Sequence, residues 1–380
     1  MTAFRDGQVT LRKNRRTEGF TNAIQEIGYQ GIRRGDLVVH GMDGFAGAIG
    51  VSDSDGKASP VVHAYQPSEN VDVRYFAYAL RVMAINGYVT TLAKGIRERS
   101  TAFDAPTLAN VLLPSPPLGE QRRIADFLDA ETAGIDRLAA RFARLADLAA
   151  ERGRAVIDEA FSEFPSESTV PVSAVCSTIV DCVNKTAPLS DRVTPYKMIR
   201  TSNIRNGRID LTGAFSVEAS VFSEWNRRGA PRRGDILLTR EAPLGQVGML
   251  NVDTPVFLGQ RIMLYRSDCN RLKKELLLFN FMASHMDRQL RLLGAGSLHE
   301  HMRVGDGLKL RVYCPPRNQQ HGLVSVIEDG RNESLSLTEL ARRQIELLAE
   351  RRQALIAAAV TGQFDVSTAS GRNVTDGVTV

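Results

Sequence analysis

Two stretches of this chain repeat each other at a constant separation, and this duplication constrains the fold more than any other sequence feature. The heptapeptide Arg33–Val39, RRGDLVV, recurs as Arg232–Leu238, RRGDILL, at an offset of 199. A constant offset along so much of the chain is not expected by chance, so the sequence predicts one structural unit present twice. The same offset relates Pro116-Pro117 to Pro315-Pro316, Gln121 to Gln320, Glu151-Arg152 to Glu350-Arg351, Ala155 to Ala354 and Ile157 to Ile356.

Each repeat has a mixed first part and a helical second part. Short β-rich runs, broken by Gly and Pro, alternate with helical patterns in the first parts, as is typical of compact α+β domains. The strands are predicted at Asp36–Val39, Ala48–Val51, Asp235–Thr239 and Pro255–Leu258, and the helices at Arg74–Ile85 and Leu276–Leu293. The predicted order is an α+β domain at 1–117, a long helix at 118–164, a second α+β domain at 165–316, a second long helix at 317–364 and a tail at 365–380.

Both predicted long helices carry a narrow apolar stripe. Apolar residues recur every seven positions in the first helix, and Leu138 and Leu145 form a second register there. The second helix is predicted to end near Gly362, which can serve as its C-terminal cap. Such stripes predict two helices that pair, antiparallel or side by side, as a coiled-coil-like spacer of about 60 Å. The alternative is that each helix packs only on its own domain. The stripe residues are Leu128, Ile135, Phe142, Ala149 and Val156, then Leu337, Leu340, Leu347, Leu348 and Leu355.

Positive charge is concentrated in one part of the chain. The whole sequence has a formal net charge of +5, whereas residues 200–311 alone contain 18 Lys and Arg against 11 Asp and Glu. Because phosphate neutralisation supplies most non-specific affinity for nucleic acid, this distribution favours a polyanionic partner such as double-stranded DNA. No signal peptide or long apolar run is found, so the chain is expected in the cytoplasm.

Side chains that can read bases or hold phosphates are the candidate DNA contacts. Each could instead be an ordinary surface charge. The candidates are Arg205, Arg208, Arg240, His299, His301 and Arg303 in the second domain, and Arg12, Lys13, Arg97 and Arg99 in the first.

The motifs that would indicate an enzyme are absent from the sequence. No Asn-Pro-Pro or Asp-Pro-Pro precedes an aromatic residue, and the glycine-containing loop Gly50–Lys57 lacks the spacing of a phosphate-binding loop. His299-Glu300-His301 has no further metal ligands, and the four cysteines form no CxxC pair. The chain is therefore predicted to have no catalytic residues, no metal site and no cofactor of its own.

Three segments resemble the specificity subunits of type I restriction-modification systems. Arg343–Gly362, RQIELLAERRQALIAAAVTG, is similar to the second conserved helix of that family, and Pro116–Leu128, PPLGEQRRIADFL, to the entry of the first. Tyr196–Gly207, YKMIRTSNIRNG, resembles a strand and turn of its recognition domains. The resemblance implies two target-recognition domains in tandem that read the halves of a bipartite DNA sequence, and helices that act as a ruler.

The same resemblance implies partners. The helices would dock two methyltransferase subunits, and restriction subunits with translocase activity would join them. S-adenosylmethionine, ATP and Mg²⁺ are expected in those partner subunits. This chain would then act in DNA methylation and phage defence without catalysing either reaction.

The two repeats are not equally complete. Residues 162–199 precede the counterpart of Met1 in the second repeat and contain apolar β-like runs such as Val170–Val183. The first recognition domain is therefore expected to be incomplete at its N-terminus, with a sheet edge or core face uncovered. This leaves open a degenerate assembly protein that binds methyltransferases without recognising DNA. A single-chain modification enzyme is disfavoured by the missing motifs.

Overall fold

The computed structural model of the chain describes residues 1–15, 27–88, 105–241, 243–294 and 301–368. It divides into two compact units: unit 1 comprises Met1–Ala143 with Arg342–Val380, and unit 2 comprises Arg144–Ala341. Each unit combines a mixed α/β part with a stretch of each long helix. The predicted α+β class is confirmed, while the predicted domain boundaries remain a prediction.

Unit 1 is built on small antiparallel sheets. Its central sheet has the strand order β5-β4-β7, and β1 pairs with β2 and β3 with β6. Helix α1 covers the central sheet, where Leu37 and Ile49 pack against Leu80. The elements are β1 (Thr2–Ala3), β2 (Val9–Thr10), β3 (Gln30–Ile32), β4 (Leu37–His40), β5 (Ile49–Val51), β6 (Gly56–Ala58), β7 (Val62–Tyr65), α1 (Val73–Ile85), α2 (Ala105–Ala109) and the long helix α3 (Leu118–Ser162).

Unit 2 contains a larger sheet of six strands in the order β11-β12-β15-β14-β17-β9. Unit 2 also has two smaller sheets, with the strand orders β13-β10-β16 and β18-β8. Its strands are β8 (Thr169–Pro171), β9 (Cys176–Asp181), β10 (Lys197–Ile199), β11 (Ile204–Arg205), β12 (Gly207–Ile209), β13 (Phe215–Ser216), β14 (Ile236–Arg240), β15 (Leu244–Met249), β16 (Val256–Leu258), β17 (Ile262–Ser267) and β18 (Arg311–Tyr313). Its helices are α4 (Ala219–Trp225), α5 (Lys274–Met282), α6 (Ser284–Gly294), α7 (Val304–Gly307) and the long helix α8 (Arg317–Val360).

The repeated RRGD segment forms the same turn in both units. The Arg33 N–H donates to Asp36 Oδ2 over 2.8 Å, and the Arg232 N–H donates to Asp235 Oδ2 over 2.8 Å. Gly35 and Gly234 both have φ of 93°, a left-handed conformation that favours glycine. In both units the strand after the turn has a partner on each side. β4 pairs with β5 and β7, and β14 pairs in equivalent register with β15 and β17. The duplication predicted from sequence is therefore structural.

The repeated glutamine fixes the start of each long helix. Gln121 Oε1 accepts the Asp72 N–H over 2.9 Å and its Nε2 donates to the Pro116 carbonyl over 2.8 Å. Gln320 Oε1 accepts the Lys273 N–H over 2.9 Å and its Nε2 donates to the Pro315 carbonyl over 2.9 Å. Each glutamine thus joins its long helix to the start of the helix in its own α/β part, α1 or α5.

The long helices pair antiparallel within each unit. In unit 1, Arg352 of α8 lies 3.3 Å from Asp136 of α3. In unit 2, Arg152 lies 3.2 Å from Glu333, and a Cβ at Gly330 would come within 2.9 Å of Val156. Glycine therefore permits the close approach of the two backbones.

The predicted helix stripe is only partly buried. Leu128, Ile135 and Ala149 are buried as predicted, whereas Leu138 and Leu145 are each 41% exposed. The second register is therefore not part of the helix seam. Within the described ranges, no helix combines the length and apolarity needed to cross a membrane.

One predicted helix is wrong in its extent. The segment predicted at Leu276–Leu293 forms two helices, because Ala283 has an extended backbone with ψ of 153°. Asp158 stabilises the new helix start: its carboxylate accepts the Ser284 N–H over 2.8 Å and the Ser284 hydroxyl over 2.5 Å. The break thus depends on a residue far away in sequence.

Candidate nucleic-acid interface

Several strand ends of unit 2 meet at one edge of its sheets. The Cys182 N–H donates to the Ile262 carbonyl, and the Arg240 N–H donates to the Arg261 carbonyl. The Met302 N–H donates in turn to the Arg240 carbonyl. The chain after β9, the end of β14, the start of β17 and the segment 301–303 are therefore held together by backbone hydrogen bonds.

Exposed basic side chains gather at this edge. We call Lys185, Arg200, Arg261, His301 and Arg303 the basic edge; four are exposed and His301 is half-buried. Lys185, Arg200 and Arg261 line one cavity of about 340 Å³, together with Gln260 and Trp225. The edge therefore places cationic side chains, which can contact phosphates and bases, around a concave surface.

Arg261 has an unusual backbone conformation for its residue type. Its φ is 71°, one of two positive values at non-glycine residues in the described ranges, the other being Asn206. A left-handed Arg is strained, and such strain is retained mainly where the surrounding structure or function demands it. Here the Arg261 carbonyl accepts the Arg240 N–H over 2.8 Å, and its own N–H points to Cys182 Sγ at 3.2 Å.

Glu241 holds two members of the basic edge in place. One carboxylate oxygen lies 3.3 Å from Arg261 Nε, and the other lies 3.6 Å from His301 Nδ1. Glu241 side-chain exposure is 29%, so the pair is partly shielded from solvent. Of the predicted DNA contacts, His301 and the exposed Arg303 both lie on the segment 301–303 at this edge.

The structure corrects the role expected for Arg240. Its side chain is 8% exposed, its Nε lies 3.1 Å from Asp181, and its Nη1 donates to the Met302 carbonyl over 3.2 Å. A buried guanidinium in an ion pair has no exposed fork to offer a base or phosphate. Arg240 instead anchors the segment that carries His301 and Arg303.

The other predicted residues lie elsewhere or outside the described ranges. Arg205 and Arg208 are paired in the β11–β12 hairpin and are exposed. Arg208 pairs with Met249, at the far end of β15 from the Leu244–Arg240 pair, so this hairpin is not part of the basic edge. In unit 1, Arg12 is half-buried and Lys13 exposed on the short helical turn Arg12–Asn14. Arg97, Arg99 and His299 lie outside the described residues.

Sequence reasoning missed Lys185, Gln260, Arg200 and Arg261. Arg200 lies within the motif Tyr196–Gly207, and its guanidinium stacks 4.3 Å from the centre of the Phe215 ring. That motif was therefore a usable signal for Arg200. Arg261 directly precedes a strand, but nothing in the sequence indicates its left-handed backbone or its contact with Glu241.

Comparison with known proteins gives one curated relative and a shared fold, whereas no family model matches the chain. The Type I restriction enzyme EcoBI specificity subunit of Escherichia coli is 24% identical over 254 residues, which cover 60% of this chain and 52% of that protein. The chain thus aligns with about half the length of this relative.

Two solved structures have the same fold. One is a chain from a type I restriction-modification system studied for its assembly and conformational transition, with a TM-score of 0.63, 16% identity and coverage of 88% of this chain and 84% of that one. The other is the HsdS subunit from Thermoanaerobacter tengcongensis, with a TM-score of 0.50, 17% identity and coverage of 88% and 82%. The relative and the shared fold support the resemblance of the three motifs to the specificity subunits of type I restriction-modification systems.

Proposed function

We propose that this chain is the DNA-specificity subunit of a type I restriction-modification complex and binds a bipartite DNA target. The observation that carries the proposal is the repeated unit, with its identical turns and equivalent strand register, in the fold of specificity subunits. Two similar modules suit a target whose two halves are read separately.

The basic edge is our main candidate for DNA contact in unit 2. Arg261 and Arg303 are exposed, and Arg261 is oriented by Glu241, so its guanidinium fork is preorganised for a base or phosphate. Arg205 and Arg208 form a second candidate contact on the hairpin. Arg12, Lys13, Arg97, Arg99 and His299 remain predictions for the rest of the interface.

Measurement of specific DNA binding by variants tests this assignment. We expect Arg261→Ala and Arg303→Ala each to weaken specific DNA binding about tenfold or more, because a good base contact contributes about 1–3 kcal/mol. Arg233→Ala is a matched control, since Arg233 is 62% exposed and pairs with Asp253 at the other end of β14.

Genome-wide methylation with and without this chain should show a chain-dependent split motif. Partner binding without such a motif would support the assembly protein instead.

The paired helices are proposed to set the spacing of the two half-sites. Removal of one heptad within Arg137–Leu148, together with one heptad from the same stretch of α8, shortens the pair by about 10 Å. The gap between methylated half-sites should then change by about three base pairs. An unaltered gap counts against the ruler role.

Exposed leucines on the helices suit the docking of partner helices. In unit 2, Leu145, Leu148, Leu335 and Leu340 are 41%, 44%, 41% and 57% exposed. Leu145 and Leu148, three residues apart, lie on one face of α3, which is typical of a seam that another helix covers. We infer that methyltransferase subunits dock here.

Co-purification tests this docking surface. Leu145→Asp combined with Leu340→Asp should abolish co-purification with the methyltransferase, while the fold is retained because both side chains are exposed. Leu292→Asp on α6, at a residue 78% exposed, is the matched control and should leave co-purification intact. Loss of binding in the control, or none in the double variant, contradicts the docking site.

We further infer that catalysis belongs to the partners. Methyltransferase and restriction subunits would carry S-adenosylmethionine, ATP and Mg²⁺, and the complex would act in the cytoplasm. Purified chain without partners should then show no methyltransferase or nuclease activity on target DNA. Activity of the chain alone, abolished by a variant of this chain, would contradict this division of roles.

A further inference from the structure

Unit 1 contains a cleft of about 740 Å³ that DNA recognition does not explain. It is lined by the turn at Asp6–Gln8, by strand β5 and by side chains of α1, α3 and α8. Arg81 of α1 and Arg352 of α8 line this cleft, and they also line a smaller neighbouring cavity of about 190 Å³. Two guanidinium groups therefore share the wall of both cavities.

Within the described residues no carboxylate forms an ion pair with Arg81, and Asp6 and Asp136 act on its charge only from a distance. Arg81 is 9% exposed, and its Nε is buried without a hydrogen-bond partner. The nearby carboxylates are already paired, Asp6 with Arg15 at 2.7 Å and Asp136 with Arg352 at 3.3 Å. Burial of an unpaired charge is costly, so such groups are normally met by an opposite charge.

The neighbouring guanidinium adds to this cost. Desolvation, and after it the charge of Arg352, lowers the pKa of Arg81 to about 10, so Arg81 is still protonated at neutral pH. Arg352 Nε is also buried and makes no hydrogen bond, although it lies near Asp136. Two adjacent cations with unused donors are the arrangement that an anion stabilises.

Unit 2 has other residues at the positions equivalent to these two arginines. Gln121 accepts the Asp72 N–H in unit 1 and Gln320 accepts the Lys273 N–H in unit 2, so Asp72 and Lys273 are equivalent. Arg81 and Met282 each lie nine residues further along the chain and are therefore counterparts. Both residues contact the glycine of the equivalent turn, Gly7 or Gly207. At an offset of 199, the counterpart of Arg352 is Gly153. Unit 2 thus has Met282 and Gly153 at these two positions, and a different guanidinium, that of Arg331 on α8, lies beside Gly207.

We propose that the cleft of unit 1 binds a phosphate group between Arg81 and Arg352. Two guanidinium forks match the oxygens of a phosphate, which can accept several charge-assisted hydrogen bonds. The cleft is much larger than one anion, and Asp129 and Asp136 can accept hydrogen bonds from hydroxyl or amino groups. The ligand is therefore a phosphate-bearing small molecule of nucleotide size.

Calorimetric titration of the full chain with inorganic phosphate and with adenosine monophosphate tests the site, with chloride at matched ionic strength as the blank. We expect saturable binding and a rise in Tm with phosphate but not with chloride. Tighter binding of the nucleotide identifies a phosphate ester as the ligand, and equal binding identifies the free ion. Absence of saturable binding of both probes overturns the proposal.

Variants locate the binding. Arg81→Lys keeps the charge and removes the fork, so phosphate affinity should fall about tenfold, as it should for Arg352→Gln. Arg81→Met copies the residue of unit 2 and should abolish binding. Arg343→Gln is the control, because Arg343 is 59% exposed and pairs with Glu346 on the same helix. Unchanged affinity in Arg81→Lys and Arg352→Gln would overturn the site even if phosphate binds.

Discussion

Unit 1 and unit 2 share a turn, three central strands and a glutamine contact, but they cover the outer strand of that sheet differently. In unit 2, β17 pairs with β14 on one side and β9 on the other, and Tyr265 is completely buried. In the described part of unit 1, β7 pairs only with β4, and Tyr65 is half-buried. Repeated local sequence thus reproduces strands and turns, while burial of the sheet depends on the segments around it.

The hydrogen bonds at Tyr313, the last residue of β18, show a second difference between the units. At an offset of 199, Tyr313 of β18 corresponds to Pro114, which has no N–H to donate. Asn280 Oδ1 accepts the Tyr313 N–H over 2.7 Å, and its Nδ2 donates to the Tyr313 carbonyl over 3.1 Å. In unit 1 the carbonyl of Pro114 is instead met by the Tyr75 hydroxyl at 3.1 Å. Because Asp72 is equivalent to Lys273, the residue equivalent to Asn280 is Ala79, whose side chain can make no hydrogen bond.

Removal of the Asn280 side chain should have the largest effect on this comparison. Asn280 is fully buried, so Asn280→Ala leaves the Tyr313 N–H and carbonyl without their partner and creates a cavity. We expect unit 2 to lose about 3 kcal/mol of unfolding free energy. Hydrogen exchange followed by mass spectrometry should show faster exchange at β18 and α5, with unit 1 unchanged. A loss below about 1 kcal/mol would mean that Asn280 does not hold β18.

A smaller effect is expected from the repeated aspartate, and it should differ between the units. Asp235 accepts the Arg232 N–H and also pairs with Arg266 at 2.7 Å, whereas the residue equivalent to Arg266 in unit 1 is Gln66. Asp235→Asn should destabilise unit 2 by about 2 kcal/mol, because Arg266 then loses its carboxylate. Asp36→Asn should cost unit 1 less than about 1 kcal/mol. Equal losses of local stability in the two units, measured by hydrogen exchange, would show that the ion pair between Asp235 and Arg266 contributes nothing.

The sequence was sufficient for features that depend on nearby residues. Local sequence patterns predict the RRGD turn, the strand after it and the long helices, and the structure contains all of them. Features that depend on distant partners were not predictable. Arg240 is buried because Asp181 lies beside it, and one helix breaks at Ala283 because Asp158 caps the next. The site was correspondingly harder to predict than the fold, since exposure of each Arg is set by such contacts.

The two glutamines provide a test in which the units should behave alike. Gln121 and Gln320 are each 2% exposed and make equivalent hydrogen bonds at the start of a long helix. Each Gln→Ala change leaves a backbone N–H without its acceptor, so we expect a loss of about 1.5 kcal/mol in its own unit. Urea unfolding with hydrogen exchange in each unit measures both. Losses that differ by more than about 1 kcal/mol would show that sequence equivalence does not imply energetic equivalence here.

The smallest expected difference is in acid sensitivity. Desolvation lowers the pKa of His285 to about 4 although Asp158 opposes the shift, whereas its counterpart in unit 1, by the α1–α5 equivalence, is Ala84. The unfolded chain therefore binds a proton near pH 6.5 that folded unit 2 binds only near pH 4, so unit 2 loses stability as pH falls through this window. His285→Phe, which keeps ring contacts with Phe161 and Tyr313, should reduce the loss between pH 7 and pH 5.5 by about 1 kcal/mol. The same acid dependence in the variant, measured by hydrogen exchange in α6, would exclude His285 as its source.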